Sequence, residues 1–495
     1  MPGEEEGAGQ NRTLAGFVLA PIVFAGLWLA PLEVPEPAHR LAAVLGAVVV
    51  LWITEAIPMA MTAFLGVAVT IPLGIAAPGD AFAPFADPLI FLFIGTLMLA
   101  QAIFFHGLDR RFAFAMLSLP GVGAHPLRVL VTYAAVGCVI SMWISNTATV
   151  AMMLPIGLSL LAVLDSHGET SPRYGAVLLL SASLGASIGG LGTPVGTAPN
   201  LIGIGFLRRA TGVGVPFFSW MALGVPILLL LFGCAMASLS RDVGRGNAAS
   251  SEHLARAIAA ERRTLGPWTA GQRNTVFAFG LTIAFWVGPG LLALVRGQTD
   301  PTYLWFQSHL PEPVVAILGA SLLFVLPIDA RRLEFTLPWR EAVKIDWWIV
   351  FLYGGGIALG TRAFQTGLAE AMGRGLTGLL GVDSSFGLIV TSTALATILS
   401  ETTSNTASAN MVVPVVLAFA NASKIDPTLP VLAATMGSSL GFLLPVSTPC
   451  NAMVFGTGRI PLAVMMRHGI VLDVLGIVAI VTVVAGLGPF VLGVH

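Results

Sequence analysis

Residues 400–414 read SETTSNTASANMVVP, and residues 141–155 read SMWISNTATVAMMLP. Aligned, they share S-x-x-x-S-N-T-A-[TS]-x5-P, with Asn146 and Asn405 separated by 259 residues. A second pair follows. GGLGTPVGTAPN comes after the first copy and GFLLPVSTPCN after the second, sharing P-V-[GS]-T-x-x-N through Pro194, Thr197 and Asn200 against Pro445, Thr448 and Asn451. A lone pair of hydroxyls in an apolar helix is usually packing glue between helices. Asn, Pro and Gly breaking helices at matching places in four segments ask for more, because broken backbone at membrane depth must line a cavity or hold an ion.

The surroundings of these motifs are apolar. The chain has 495 residues, of which 56% are hydrophobic and 10% charged, with a mean hydropathy of +0.88; soluble domains carry roughly a quarter charged residues. The composition is that of an all-α polytopic membrane protein, since the segments are continuously apolar rather than alternating as in a β-barrel. At roughly 20 apolar residues per helix, spans are expected at 14–32, 40–58, 60–78, 88–106, 172–203, 216–239, 273–296, 313–329, 346–364, 428–456 and 464–492. Two further apolar stretches, 127–164 and 385–422, are interrupted by the SNT motifs and read as re-entrant hairpins. That makes about eleven spans plus two hairpins.

Charge reports topology here. The net charge of −1 and the scattered arginines exclude nucleic acid as a partner. If each hairpin returns to the side it entered, Arg110 with Arg111, the six arginines between 241 and 273, Arg331, Arg332 and Arg340, and Arg459 with Arg467 share one face. The positive-inside rule makes that face cytoplasmic, with the N-terminus inside and the C-terminus outside an integral cytoplasmic membrane. Arg208 and Arg209 fall on the outer side, against the trend. The same parity makes the hairpins enter from opposite faces, an inverted repeat of the kind on which secondary transporters are built. MPGEEEGAGQNRT is acidic and Gly-rich, so no cleavable signal peptide is expected before the first span. Cys138, Cys234 and Cys450 have no CxxC or Cys/His spacing, which argues against zinc and disulfides.

The breaks suit two kinds of ion. Hydroxyl, amide and free carbonyl oxygens suit sodium, while free N–H groups at half-helix starts suit a carboxylate. No Lys or Arg occurs from 129 to 172, 174 to 207, 363 to 373, 375 to 423 or 425 to 458. A dianion bound there has no basic side chain to neutralise it, so cation coupling follows. No HExxH, GxSxG or convergent His/Cys set is present, which argues against an intramembrane enzyme.

The doubled SNT, the G-T-x-P-N and S-T-P-x-N loops, LWITEAIP at 51–58, GLDRR at 107–111 and FLYGGGIALG at 351–360 together resemble the divalent anion/sodium symporters, dicarboxylate branch, over about residues 14 to 490. The resemblance implies a homodimer of elevator carriers in the lipid bilayer, coupling Na+ to succinate, malate or fumarate. A sodium-independent dicarboxylate exchanger and a citrate or sulfate carrier are the alternatives on that fold. Carried over, one sodium site comprises Ser141, Ser145, Asn146 and the backbone at Gly196, and the other Ser400, Thr403, Asn405 and the backbone at Ser447. Substrate carboxylates fall to Asn146, Thr147, Asn405 and Thr406, with Thr448, Pro449 and Thr197 nearby. The implied parts are a tail at 1–13, scaffold at 14–126 and 273–384, a linker at 241–272, and transport parts at 127–240 and 385–495. Two positions depart from the family's T-P-P-N, Ala198 and Cys450 standing where it has proline; a lost proline frees the backbone beside each site.

Other residues read as structural. Glu401, whose counterpart is Met142, is expected to fix its hairpin by a hydrogen bond, with a direct ion role as the alternative, and Glu55 to make a hydrogen bond within the second span. His106 and His125 flank a membrane boundary, and Trp347 and Trp348 read as interfacial anchors.

Overall fold

The computed structural model describes residues 2–123, 125–167, 171–212, 214–243, 248–380 and 384–493. The first half begins with α1 (Pro2–Leu29), α2 (Glu36–Thr54), α3 (Met59–Thr70), α4 (Pro78–Phe82), α5 (Pro88–Phe105) and α6 (Leu108–Leu117). It continues with α7 (Pro126–Ser141), α8 (Asn146–Ser166), α9 (Pro172–Gly189), α10 (Ala198–Thr211) and α11 (Phe217–Ser240). Then come α12 (Ala248–Thr264), α13 (Ala270–Arg296), α14 (Pro301–His309), α15 (Glu312–Val325) and a short antiparallel ribbon, β1 (Pro327–Asp329) with β2 (Glu334–Phe335). The second half runs α16 (Trp339–Ala342), α17 (Trp347–Gln365), α18 (Leu368–Leu380), α19 (Ser385–Thr402), α20 (Asn405–Ala422), α21 (Thr428–Gly437), α22 (Pro449–Phe455) and α23 (Leu462–Leu492).

From α5 onward the order recurs. A long helix preceded by an aspartate (α5, α17) is followed by a short one (α6, α18), a helix pair meeting at SNT (α7/α8, α19/α20), a broken helix (α9/α10, α21/α22) and a long closing helix (α11, α23). Among the described residues eight helices are long and apolar enough to cross a membrane. The difference from about eleven spans has a local cause. The expected spans 172–203 and 428–456 are each cut by Gly- and Pro-rich breaks, at 190–197 and 438–448, α3 and α15 are shorter than a full crossing and α17 is not apolar enough, whereas α8 and α19, from the two stretches read as hairpins, are long and apolar enough to cross. The linker at 241–272 contains a helix, α12.

The core is built around α9, whose residues from Tyr174 to Gly189 are all buried. A helix with no exposed face needs neighbours on every side, and α9 packs against α7, α8, α11 and α22. Its glycines permit the closest of these approaches. A Cβ at Gly189 would lie 2.1 Å from the Cys138 carbonyl oxygen, and one at Gly185 would lie 2.5 Å from that of Ala134. In the second half α21 is buried along its whole length and packs on α19, as α9 does on α7. By contrast α1 and α13 leave most of their apolar surface outward, as helices bathed in lipid do.

The boundary residues take specific partners. His106 contacts the Thr336 carbonyl through Nε2 at 2.7 Å, and His125 Nδ1 accepts from the Leu127 N–H at 3.1 Å, capping α7. Asp109, in the short helix α6, is buried, and that burial pushes its carboxyl up to about 6, against the opposing pull of the Arg110 N–H and guanidinium.

Gly189→Ala is expected to force α7 and α9 apart and cost about 1–3 kcal/mol, read as a lower unfolding midpoint in detergent. For Asp109 the favourable form is the protonated one, so its contribution is complete below the ordinary value of 3.8 and is lost as pH rises through about 6. Asp109→Asn should therefore melt higher than the parent at pH 7.5, the two converging toward pH 4; equal melting at both pH values would count against that linkage.

Candidate functional site

Each SNT motif is a sharp change of direction capped by its own serine. In the first hairpin α7 ends at Ser141, and Ser145 caps α8 by accepting from the Ala148 N–H at 3.3 Å. In the second α19 ends at Thr402, and Ser404 caps α20 by accepting from the Ala407 N–H at 3.2 Å. Serine is well suited to that position because its hydroxyl takes up an N–H that the helix start leaves unpaired.

The same hydrogen bond closes each turn. Ser141 Oγ donates to Asn146 Oδ1 at 2.7 Å, and Ser400 Oγ donates to Asn405 Oδ1 at 2.8 Å. The tips rest on the helix breaks. A Cβ at Gly190 would meet Asn146 Oδ1 at 2.6 Å, and one at Gly441 would meet Asn405 Oδ1 at 3.1 Å, so both asparagines lie against bare backbone. Asn405 Nδ2 also donates to the Ser439 carbonyl at 3.3 Å.

The breaks are held open by the asparagines that end the second motif pair. Asn200 Nδ2 donates to the carbonyls of Gly190 and Thr193, both at 2.8 Å. Asn451 Nδ2 donates to the carbonyls of Gly441 and Leu444, both at 3.0 Å, and to Ser447 Oγ at 3.1 Å. Both side chains are fully buried. Ser183 Oγ, on α9, donates to Asn451 Oδ1 at 2.6 Å and so ties one half to the other. Glu401 does not line the cavity; its carboxylate accepts from the N–H groups of Leu443 and Leu444 at 2.9 and 3.2 Å, fixing hairpin to break.

Both tips and both breaks meet at one cavity of about 530 Å³. Ser145, Asn146, Thr147, Gly196 and Thr197 line it from one half, and Asn405, Thr406, Ser447, Thr448 and Pro449 from the other. The starts of α8, α10 and α20 open onto it, so unpaired N–H groups and the positive ends of helix dipoles face the space. Ser141 and Ser400 stand behind the tips, outside the lining. Thr403 also lies outside it, its hydroxyl donating back to the Leu399 carbonyl at 2.7 Å; the residue that matches Ser145 as a cap, and lines the cavity, is Ser404. Cys450 lines it where proline was expected, and Ala198 stands at the start of α10.

The remaining wall comes from outside the repeated motifs, and sequence reasoning did not assign it to the site. It includes Glu55, Met59, Asp346 and Trp348. Glu55, expected to make a hydrogen bond within its span, instead ends α2 in a left-handed conformation (φ 49°) and pairs with Arg12 at 3.8 Å. Trp347 donates to the Val343 carbonyl, while Trp348 turns to the cavity. No Lys, Arg or His is among the lining residues, and two carboxylates are. Among the described residues no group of three or more His, Cys, Asp or Glu is placed to hold a metal ion.

Comparison with known proteins gives the context. The profile of a family described as "Sodium:sulfate symporter transmembrane region" matches residues 11–494. The "Sodium-dependent dicarboxylate transporter SdcS" of Staphylococcus saprophyticus is 31% identical, over 97% of this chain and 92% of its own length. The protein of the same description from Staphylococcus aureus is 30% identical over the same shares. Among solved structures the Alcanivorax borkumensis YdaH transporter superposes with a TM-score of 0.56 at 14% identity, covering 83% of this chain and 87% of that one; at that identity the likeness is one of fold.

Asn451→Ala would remove the amide donor shared by the Gly441 and Leu444 carbonyls and Ser447 Oγ, leaving the carbonyls to Ser447 alone, and would leave the buried Ser183 hydroxyl without its acceptor. It is expected to cost about 1–3 kcal/mol, read as a lower unfolding midpoint in detergent, and Asn451→Asp, which turns an acceptor toward the same two carbonyls, should not restore it.

Proposed function

The chain belongs to the sodium:sulfate symporter family of membrane transporters, and from that premise we propose that it is a sodium-coupled symporter of C4-dicarboxylates such as succinate, malate and fumarate. One observation carries the reading. The cavity gathers hydroxyls, amides and helix starts from both halves and has no basic side chain in its wall. A dianion there is unstable without compensating cations, and the oxygens behind each tip are of the hard, neutral kind that sodium takes. The curated relatives described as sodium-dependent dicarboxylate transporters support the same assignment.

In this reading Ser141, Ser145, Asn146 and the Gly196 backbone hold one sodium ion. Ser400, Thr403, Asn405 and the Ser447 backbone hold the other, with Ser404 available as the cap that matches Ser145. The carboxylates lie between Asn146 with Thr147 and Asn405 with Thr406, beside Thr197, Thr448 and Pro449. Cations entering first would bring the tips together and supply the charge that the anion needs.

Glu55, paired with Arg12, and Asp346, just beyond the arginines at 331–340, sit at the cavity's rim. By the positive-inside rule both ends face the cytoplasm, so the state described is open inward, with the N-terminus inside and the C-terminus outside. The walls combine the transport parts, 127–240 and 385–495, with residues from the scaffold parts, 14–126 and 273–384. That composition supports an elevator stroke of one against the other, in a homodimer with the two repeats inverted.

The test is uptake of labelled succinate into proteoliposomes under an inward sodium gradient, with potassium or choline substituted, into empty and succinate-preloaded vesicles. Concentrative, sodium-requiring uptake into empty vesicles is the expected result. Asn146→Ala and Asn405→Ala should each reduce it at least tenfold, the loss equivalent to about 1.4 kcal/mol, in folded protein. Uptake confined to preloaded vesicles and indifferent to sodium would make the carrier an exchanger, and normal uptake by both variants would make the tips packing features.

A further inference from the structure

Asp87 is the most enclosed ion-paired carboxylate of the described chain, at 3% exposure. It caps α5 by accepting from the Leu89 N–H at 2.9 Å. Its Oδ1 accepts from Arg208 Nη2 at 2.7 Å and from Tyr353 Oη at 3.3 Å, and its Oδ2 from Arg209 Nη2 and Nε at 2.9 and 3.2 Å. The arginines form the last turn of α10. The cluster thus joins a transport part to both scaffold parts, α5 and α17.

The repeat gives this cluster a counterpart. Asp87 stands 59 residues before Asn146, and Asp346 stands 59 before Asn405. Both are the cap residues of their helices, α5 and α17. Arg208 follows Asn200 by eight residues, and Arg459 follows Asn451 by eight. The positions that are locked together in the first half are therefore occupied by the same residue types in the second, where they are apart. Asp346 is exposed at the cavity rim with no ion pair among the described residues, and Arg459 Nη2 pairs instead with Asp165 Oδ2 at 2.9 Å.

Inverted-repeat carriers change access largely by moving one repeat or bundle against the other around a fixed site, and related halves allow a contact made by one in one state to be made by its counterpart in the other. We propose that these two sets form a reciprocal ion-pair latch. Asp87 with Arg208 and Arg209 holds the state described here, and Asp346 with Arg459 forms when the cavity turns to the other side, as the Asp87 cluster opens. The proposal rests on the alternating-access reading above, though not on its substrate or coupling ion. The two ends are unequal, because Arg209 repeats as Ile460. Breaking the first set leaves an enclosed carboxylate without either of two guanidinium partners, whereas the second offers only one. The inward-open state is thus the resting one.

The test is a cross-link between Asp346→Cys and Arg459→Cys, with Cys138→Ala, Cys234→Ala and Cys450→Ser removing the native thiols, using mercuric ion as a short bridge. Cross-linking of the otherwise native carrier is expected at low yield, rising about tenfold when Asp87→Asn is added, the change that follows from removing about 1.4 kcal/mol of bias from one state. In parallel, Asp346→Arg and Arg459→Asp should each slow uptake and the two together should restore it, which a merely structural role would not produce. Absence of the cross-link in folded protein in which mercuric ion reacts with both introduced thiols would overturn the latch and leave the transport reading intact. So would a yield unmoved by Asp87→Asn, or failure of the charge exchange to rescue. Cross-linking that responds to Asp87→Asn in protein that takes up no succinate would support the latch and overturn the substrate instead.

Discussion

Two buried asparagines keep the backbone of this protein open where a membrane helix would ordinarily close. Helical carbonyls and N–H groups satisfy one another, and in lipid a gap in that ladder leaves each freed group several kcal/mol out of balance. Asn200 and Asn451 span their gaps by donating to carbonyls seven and ten residues earlier in the chain. Everything else at the site depends on these gaps. They set the glycines against which the hairpin tips rest, and they free the helix starts that face the cavity.

Much of this was legible in the sequence because the polar residues stand out against an apolar ground and occur twice. The doubled motif located Asn146 and Asn405, the second pair located both breaks, and the absence of Lys and Arg from those segments anticipated a cavity wall without positive charge. The short helices were hidden for the opposite reason: α6, α12 and α18 are neither apolar enough nor long enough to stand out as spans. Thr403 came with the sodium site that the resemblance implies, whereas the residue that caps α20 and lines the cavity is Ser404, the position that the doubled motif itself aligns with Ser145. Glu55 and Trp348 reach the cavity from helices with no part in the repeated motifs. Asp346 carried a usable signal, its spacing from Asn405, but one that gains meaning only when Asp87 is seen to be the cap of the matching helix.

The distribution of charge is as instructive as its amount. Ionised groups near the site stand at its rim, as Glu55 and Asp346 do, or are absorbed by backbone N–H groups, as Glu401 is. The arginines that break the positive-inside pattern, Arg208 and Arg209, are spent on Asp87. The wall built from the repeated motifs is left with dipoles, which orient and select but do not neutralise, so what it can hold depends on what else is bound.

The contact between Ser183 and Asn451 joins the broken helix of one half to that of the other through a buried hydrogen bond of 2.6 Å. A bond of this kind, once lost, leaves both partners without water to turn to. It therefore opposes any movement of one break without the other. In a carrier of the kind proposed, that is the condition for keeping ion and cargo together, since a half that moved alone would pass one without the other. By making the two breaks one mechanical piece, a single serine on α9 holds them to a common motion.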